Sequence, residues 1–121
     1  MDYITNVFHM SVEPDDLVAF KELVGEIVAA SSNEPGTFIY EYSASEDERE
    51  VHIVERYRAD SVLSHVENTF APFAERFLKM ARIERLYVYG DAPADVKSKL
   101  DVFGAHYMSP LAGFAKPIAA S

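Results

Sequence analysis

Four histidines, two carboxylates on one hairpin and a single amide on an apolar strand are the residues whose types could do chemistry in this chain. A histidine gains or loses its charge near neutrality, so each can take or give a proton at ordinary pH. His9, His52, His65 and His106 fall on different elements. None is paired with a carboxylate at helical ligand spacing, so the pattern does not indicate a metal centre. With no cysteine there is no thiolate nucleophile, disulfide or cysteine-held metal. A Gly-rich phosphate loop, HExxH, GxSxG and a calcium loop are all missing, as are the flavin and nicotinamide fingerprints. Any redox chemistry must therefore draw its electrons from the substrate itself.

The two carboxylates, Glu41 and Glu55, lie on the stretch that organises the chain, EPGTFIYEYSASEDEREVHIVERY from Glu34 to Tyr57. Pro35 and Gly36 punctuate its start. The β-branched and aromatic run that follows turns back through the polar Ser45 to Glu50, and Val51 to Tyr57 returns with the same composition, which predicts a β-hairpin. Glu41 directly opposite Glu55 would hold two carboxylates about 5 Å apart, unfavourable unless they share a proton. A register shifted by one residue avoids this. It puts Phe38, Tyr40 and Tyr42 on one face with Ile53, Glu55 and Tyr57. Ile39 and Glu41 then share the other face with His52, Val54 and Arg56, where Glu41 can reach Arg56.

The other elements must position these groups. Tyr3 to Met10 reads as a first strand, with Ile4, Asn6, Phe8 and Met10 on one face and Tyr3, Thr5, Val7 and His9 on the other. Both faces are largely apolar, so both should be covered, and the Asn6 amide then needs hydrogen-bond partners. Pro14 opens a helix that ends near Ala30, with Leu17, Phe20, Val24, Ile27 and Val28 as its apolar stripe. After the hairpin, Asp60 is placed to cap a short helix, Ser61 to Glu67, that carries His65. Thr69 is placed to cap a further helix with Phe70, Phe73, Ala74, Phe77, Leu78 and Ala81 at helical spacing. Ile83 to Gly90 is a fourth strand.

This β-α-β-β-α-β order is the ferredoxin-like split βαβ arrangement, an α+β fold with an antiparallel sheet and helices on one face. Residues 1–91 form that domain. Residues 92–121 form an extension, a helix from Pro93 stopped by Gly104 and then an extended tail. Its His106, Tyr107, Met108, Leu111 and Phe114 predict docking along a sheet edge or on a partner subunit. The apolar second sheet face calls for a second copy of the chain, hence a homodimer.

Composition narrows the partners further. At 121 residues, with 49% hydrophobic and 12% aromatic residues, the chain can bury a core. A net charge of −9 and no basic patch disfavour nucleic acid and anionic membranes. No apolar run is long enough to span a membrane. MDYITNVF lacks a secretion-signal pattern, which points to a cytoplasmic location.

The segments EPGTFIYEY, VHIVERYRADSVLSHVENTFAPF and LYVYGD together resemble the antibiotic biosynthesis monooxygenase (ABM) family of dimeric α/β-barrel proteins, among them quinol monooxygenases. The resemblance covers Tyr3 to Asp91. It is most specific at Glu34-Pro35-Gly36, Tyr40-Glu41 and Glu55-Arg56-Tyr57 followed by His65, and the tail is similar to family endings of the form YxxPLAGF. Tyr57 stands where many members have Trp, and a second His often seen before a Phe is absent around Asn68 and Phe70.

The resemblance implies a cofactor-free monooxygenase that oxidises a small electron-rich aromatic, a quinol or polyketide-like phenol, with O2. Under that reading His65 is the base and Asn6 holds the anionic oxygen. Phe8, Tyr40, Tyr57, Phe70 and Phe73 hold the ring. Haem is not expected, since the chain has no Trp and no His on the helix where an axial ligand would be wanted. The rival class is a non-catalytic dimeric barrel that binds a small aromatic ligand or a partner.

Overall fold

The computed structural model describes residues 3–117. β1 (Tyr3–Val12) leads through a 3₁₀ turn at Pro14–Asp16 into α1 (Leu17–Ser31), and β2 (Thr37–Ala44) and β3 (Glu50–Arg58) form the hairpin. A 3₁₀ turn at Ala59–Ser61, α2 (Val62–Ser64), a π-helical turn at His65–Phe70 and α3 (Ala71–Met80) then run on as one continuous helical segment. β4 (Ala81–Tyr89), α4 (Ala94–Leu100), a 3₁₀ turn at Asp101–Phe103 and β5 (Ala105–Met108) complete the described chain. Residues 118–121 of the C-terminal extension lie outside the described residues.

The strands lie in the order β2-β3-β1-β4-β5, with the first four antiparallel and β5 parallel to β4. This is the ferredoxin-like sheet with one strand added at its edge. Alternation along β1 decides which side is core. Ile4, Asn6, Met10 and Val12 are buried on the helix side, whereas Tyr3, Val7 and His9 are only half-buried on the other. α1 buries Phe20, Leu23 and Ile27 against Val51, Ile53 and Phe77, each side chain worth about 1.5–3 kcal/mol. The stripe is thus centred on Leu23, and Val28 is exposed.

Several local expectations are corrected. Glu41 and Glu55 do lie on opposite faces, with Tyr40 paired to Glu55 and Glu41 to Val54. An irregularity between Thr37 and Ile39, however, turns Phe38 out of that face, where it is 58% exposed. Arg56 does not pair with Glu41; its Nε donates to Thr5 Oγ1 at 2.8 Å and its guanidinium lies over the Tyr3 ring. Asp60 caps no helix, because its carboxylate takes Arg58 Nε at 2.6 Å and the Ser61 hydroxyl. Thr69 caps none either, since its hydroxyl donates to Glu34 and the helix continues past it.

Two glycines have separate reasons. Gly104 ends the last helical turn at φ 72°, a left-handed conformation that costs glycine little. Gly36 is needed for space, since a Cβ there would lie 1.9 Å from Ser61 Oγ and 2.6 Å from its Cβ. Its carbonyl accepts from Arg58 N at 2.8 Å. The loop carrying Glu34 is thereby pressed against the start of the helical segment carrying His65.

Candidate active site

The hairpin, β1 and the π-helical turn enclose a mainly apolar cavity on the helix side of the sheet. Phe8, Tyr40, Ile53, Val66, Phe70, Phe77, Ile83, Leu100 and Phe103 wall it, and the ionisable groups Glu55 and His65 interrupt the apolar lining. The cavity proper is narrow, about 40 Å³, and opens to solvent at its mouth. Leu100 and Phe103 come from the C-terminal extension.

His65 is 4% exposed, and a carboxylate faces one nitrogen of its ring. Nδ1 lies 2.9 Å from Glu34 Oε1. The same carboxylate accepts the Thr37 hydroxyl on Oε1 at 3.0 Å and the Thr69 hydroxyl on Oε2 at 2.6 Å. Three donors thus surround one carboxylate. In the tautomer whose Nδ1–H donates to Glu34, the ring's lone pair is on Nε2, on a ring that forms part of the cavity wall. Tyr40 and Tyr57 pack against that ring at centroid distances of 5.3 and 5.0 Å. This is the arrangement of an oriented general base.

Glu55 is set differently. It is 5% exposed, and Oε1 accepts one hydrogen bond, from Asn6 Nδ2 at 3.2 Å. Burial pushes its carboxyl above the usual range; His65 and the Asn6 bond oppose that shift without cancelling it, and the Glu34 charge adds to it. Between its unfolded and folded pKa the native chain holds the extra proton, so stability falls as pH rises through that interval. Glu55→Gln should remove this contribution, giving a flatter melting temperature than wild type on the alkaline side of the ordinary carboxylate range. Parallel curves for the two proteins would contradict it.

Tyr40 and Tyr42 share a hydroxyl–hydroxyl contact of 2.8 Å, and burial raises both well above the ordinary phenol value. Tyr57 is raised as well, by burial and then by the Glu55 charge that its buried hydroxyl faces. All three are therefore neutral phenols near pH 7.

Of the residues singled out in the sequence, the cavity gathers Phe8, Tyr40, His65 and Phe70. Asn6 stands behind Glu55 instead of lining the cavity, and Tyr57 backs the His65 ring. Phe73 lies away from the cavity lining, packed against the larger core cluster beneath Arg76. Sequence reasoning missed Glu34, Thr37 and Thr69. Its sign of Glu34 was the Glu34-Pro35-Gly36 run, where the family resemblance is most specific but which was given no role at the site. His9 and His52, scattered in sequence, stack at 3.9 Å on the opposite sheet face, remote from this site.

Three solved structures share the fold. MupZ from Pseudomonas fluorescens superposes with a TM-score of 0.83 at 21% identity, covering 99% of this chain and 100% of that one. A conserved protein from Methanosarcina mazei Go1 gives 0.67 at 17%, covering 74% and 92%. SnoaB, a cofactor-independent oxygenase from Streptomyces nogalater, gives 0.63 at 15%, covering 73% and 91% in a mutant form. At these identities the likeness concerns the fold alone. No curated protein matches the sequence. The family model described as antibiotic biosynthesis monooxygenase matches residues 3–69, more than half of the sequence, and the chain belongs to that family.

Proposed function

We propose that the protein is a cofactor-independent monooxygenase that deprotonates a small electron-rich aromatic, a quinol or polyketide-like phenol, and lets the resulting anion react with O2. The observation that carries this reading is the buried His65–Glu34 pair at 2.9 Å beside an aromatic-walled cavity. His65 Nε2 takes the hydroxyl proton. The electron-rich anion then supplies the electrons that reduce O2, so no bound redox group is required. The apolar wall limits water around the anion. SnoaB, described as a cofactor-independent oxygenase, lends support through its shared fold.

Oxygen uptake with a panel of hydroquinones tests the proposal. Consumption of one O2 per hydroxyquinone formed, one oxygen atom entering the product and the other leaving as water, supports it, whereas quinone with hydrogen peroxide would show an oxidase instead. Ligand-induced stabilisation without O2 consumption would instead assign the chain to the non-catalytic binding class.

The same reading includes a homodimer formed through the open sheet face. Among the described residues no helix covers the half-buried Tyr3, Val7, His9, Val54 and Tyr87, and Tyr89 and Met108 beside them are exposed. Light scattering should give two chains per particle, and a compact monomer at micromolar concentration would contradict this.

A further inference from the structure

The two acidic residues near His65 are unequally solvated. Glu34 receives the Thr37 hydroxyl, the Thr69 hydroxyl and His65 Nδ1, whereas Glu55 receives the Asn6 amide and faces the Tyr57 hydroxyl. Two ionised carboxylates beside one imidazole in an apolar surround are unfavourable, and the more buried group with fewer donors holds a proton more readily. Glu55 is that group, and it lines the same cavity as His65. A neutral carboxylic acid has what Glu34 lacks, an O–H to donate.

We propose that Glu55 is the proton donor of this site, and that Glu55 and His65 together enolise a small apolar carbonyl compound without any redox change. His65 Nε2 removes the proton from the carbon beside the carbonyl. The C–H electron pair becomes the C=C bond, and the carbonyl π pair takes the Glu55 proton to form the enol O–H. Imidazolium and carboxylate remain, and the reverse transfer restores both. The charges cancel within the site and no oxidant is consumed. A base paired with an acid kept neutral by burial is a recognised way to polarise a carbonyl. This step rests on the reading of His65 as base given above, and adds to it a substrate class, enolisable ketones, and a reaction that proceeds without O2.

The groups facing Glu55 are the imidazole of His65, the phenols of Tyr57 and Tyr40, the Asn6 amide and the Glu34 carboxylate. The phenols stay neutral near pH 7, so loss of the Glu55 proton is the change that should remove activity on the alkaline side. Burial raises the Glu55 carboxyl, which places that loss above the ordinary carboxylate range.

The test uses the full chain and 2-tetralone in deuterated buffer under nitrogen, following by NMR the exchange of the protons beside the carbonyl. Wild type should accelerate exchange, His65→Ala should abolish the acceleration, and Glu55→Gln should lower it by about 10². The wild-type rate should fall at alkaline pH, and Glu55→Gln should lack that fall. If Glu55→Gln does not fold, the alkaline limb of wild type decides alone. Wild-type exchange by Glu55→Gln, or a wild-type rate that only rises with pH, overturns the role of Glu55 while leaving the His65 base intact. No exchange by wild type, alongside O2 consumption with hydroquinones, overturns enolisation and leaves the oxygenase standing. Absence of both activities overturns both.

Discussion

His65→Ala is expected to lower turnover of any accepted hydroquinone by about 10² to 10⁴, the range typical for loss of a general base. The fall should appear in kcat as well as kcat/KM, because the proton transfer occurs in the transition state and contributes little to ground-state binding. Steady-state oxygen uptake measures it. His9→Ala and His106→Ala are the controls, and both should keep most activity because they lie on the far sheet face. His9 stacks on His52, and His106 packs beside Tyr87 at 5.6 Å. Normal turnover by His65→Ala in a folded protein would remove the proton acceptor from the proposed reaction.

The second large effect is expected from Glu34→Gln, a change of one atom. Each oxygen of Glu34 accepts: Oε1 from His65 Nδ1 and Thr37, Oε2 from Thr69. An amide has only one acceptor oxygen. If its nitrogen faces His65, the imidazole must accept there and carry its hydrogen on Nε2, the wrong tautomer for a base. If its nitrogen faces Thr69, that hydroxyl loses its acceptor and the π-helical turn is less firmly held. The first case resembles the loss of the orienting carboxylate in the serine-protease triad, which costs about 10⁴. A fall on the order of 10² or more in kcat, with the circular dichroism spectrum unchanged, is the expected result. Activity within twofold of wild type would show that Glu34 merely packs.

These effects bear on what could be read from the residues alone. The split βαβ order was legible because β1, the hairpin strands and β4 are rich in β-formers, and because two separate stripes, one with Phe20 and Ile27 and one with Phe70 and Phe77, hold helical spacing. Charge fixed the hairpin register, since Glu41 and Glu55 could not share a face. The helix ends were misread for a physical reason. Asp60 and Thr69 are sound capping residues by type, but Arg58, two residues away, takes the first and the distant Glu34 takes the second.

The support of the site was hidden for a similar reason. Thr69 reaches Glu34 across 35 positions and Asn6 reaches Glu55 across 49. No periodicity reports contacts of that span. His65 could be singled out by type, whereas Glu34 needs the fold to bring the α1–β2 loop beside the π-helical turn. Phe73 lies off the cavity lining, because spacing identifies an apolar stripe without saying which of its rings meets a cavity.

Leu100 and Phe103 enter the cavity wall from beyond residue 69, where the family match ends. The proton chemistry and part of the container thus belong to different stretches of one chain. Glu34, Glu55 and His65 all lie inside the matched segment, while the last helical turn supplies two purely apolar panels. Such a division separates inheritance of a reaction from choice of what undergoes it. Substitutions at Leu100 and Phe103 can reshape the space available to a guest molecule while the hydrogen bonds around Glu34 remain unchanged.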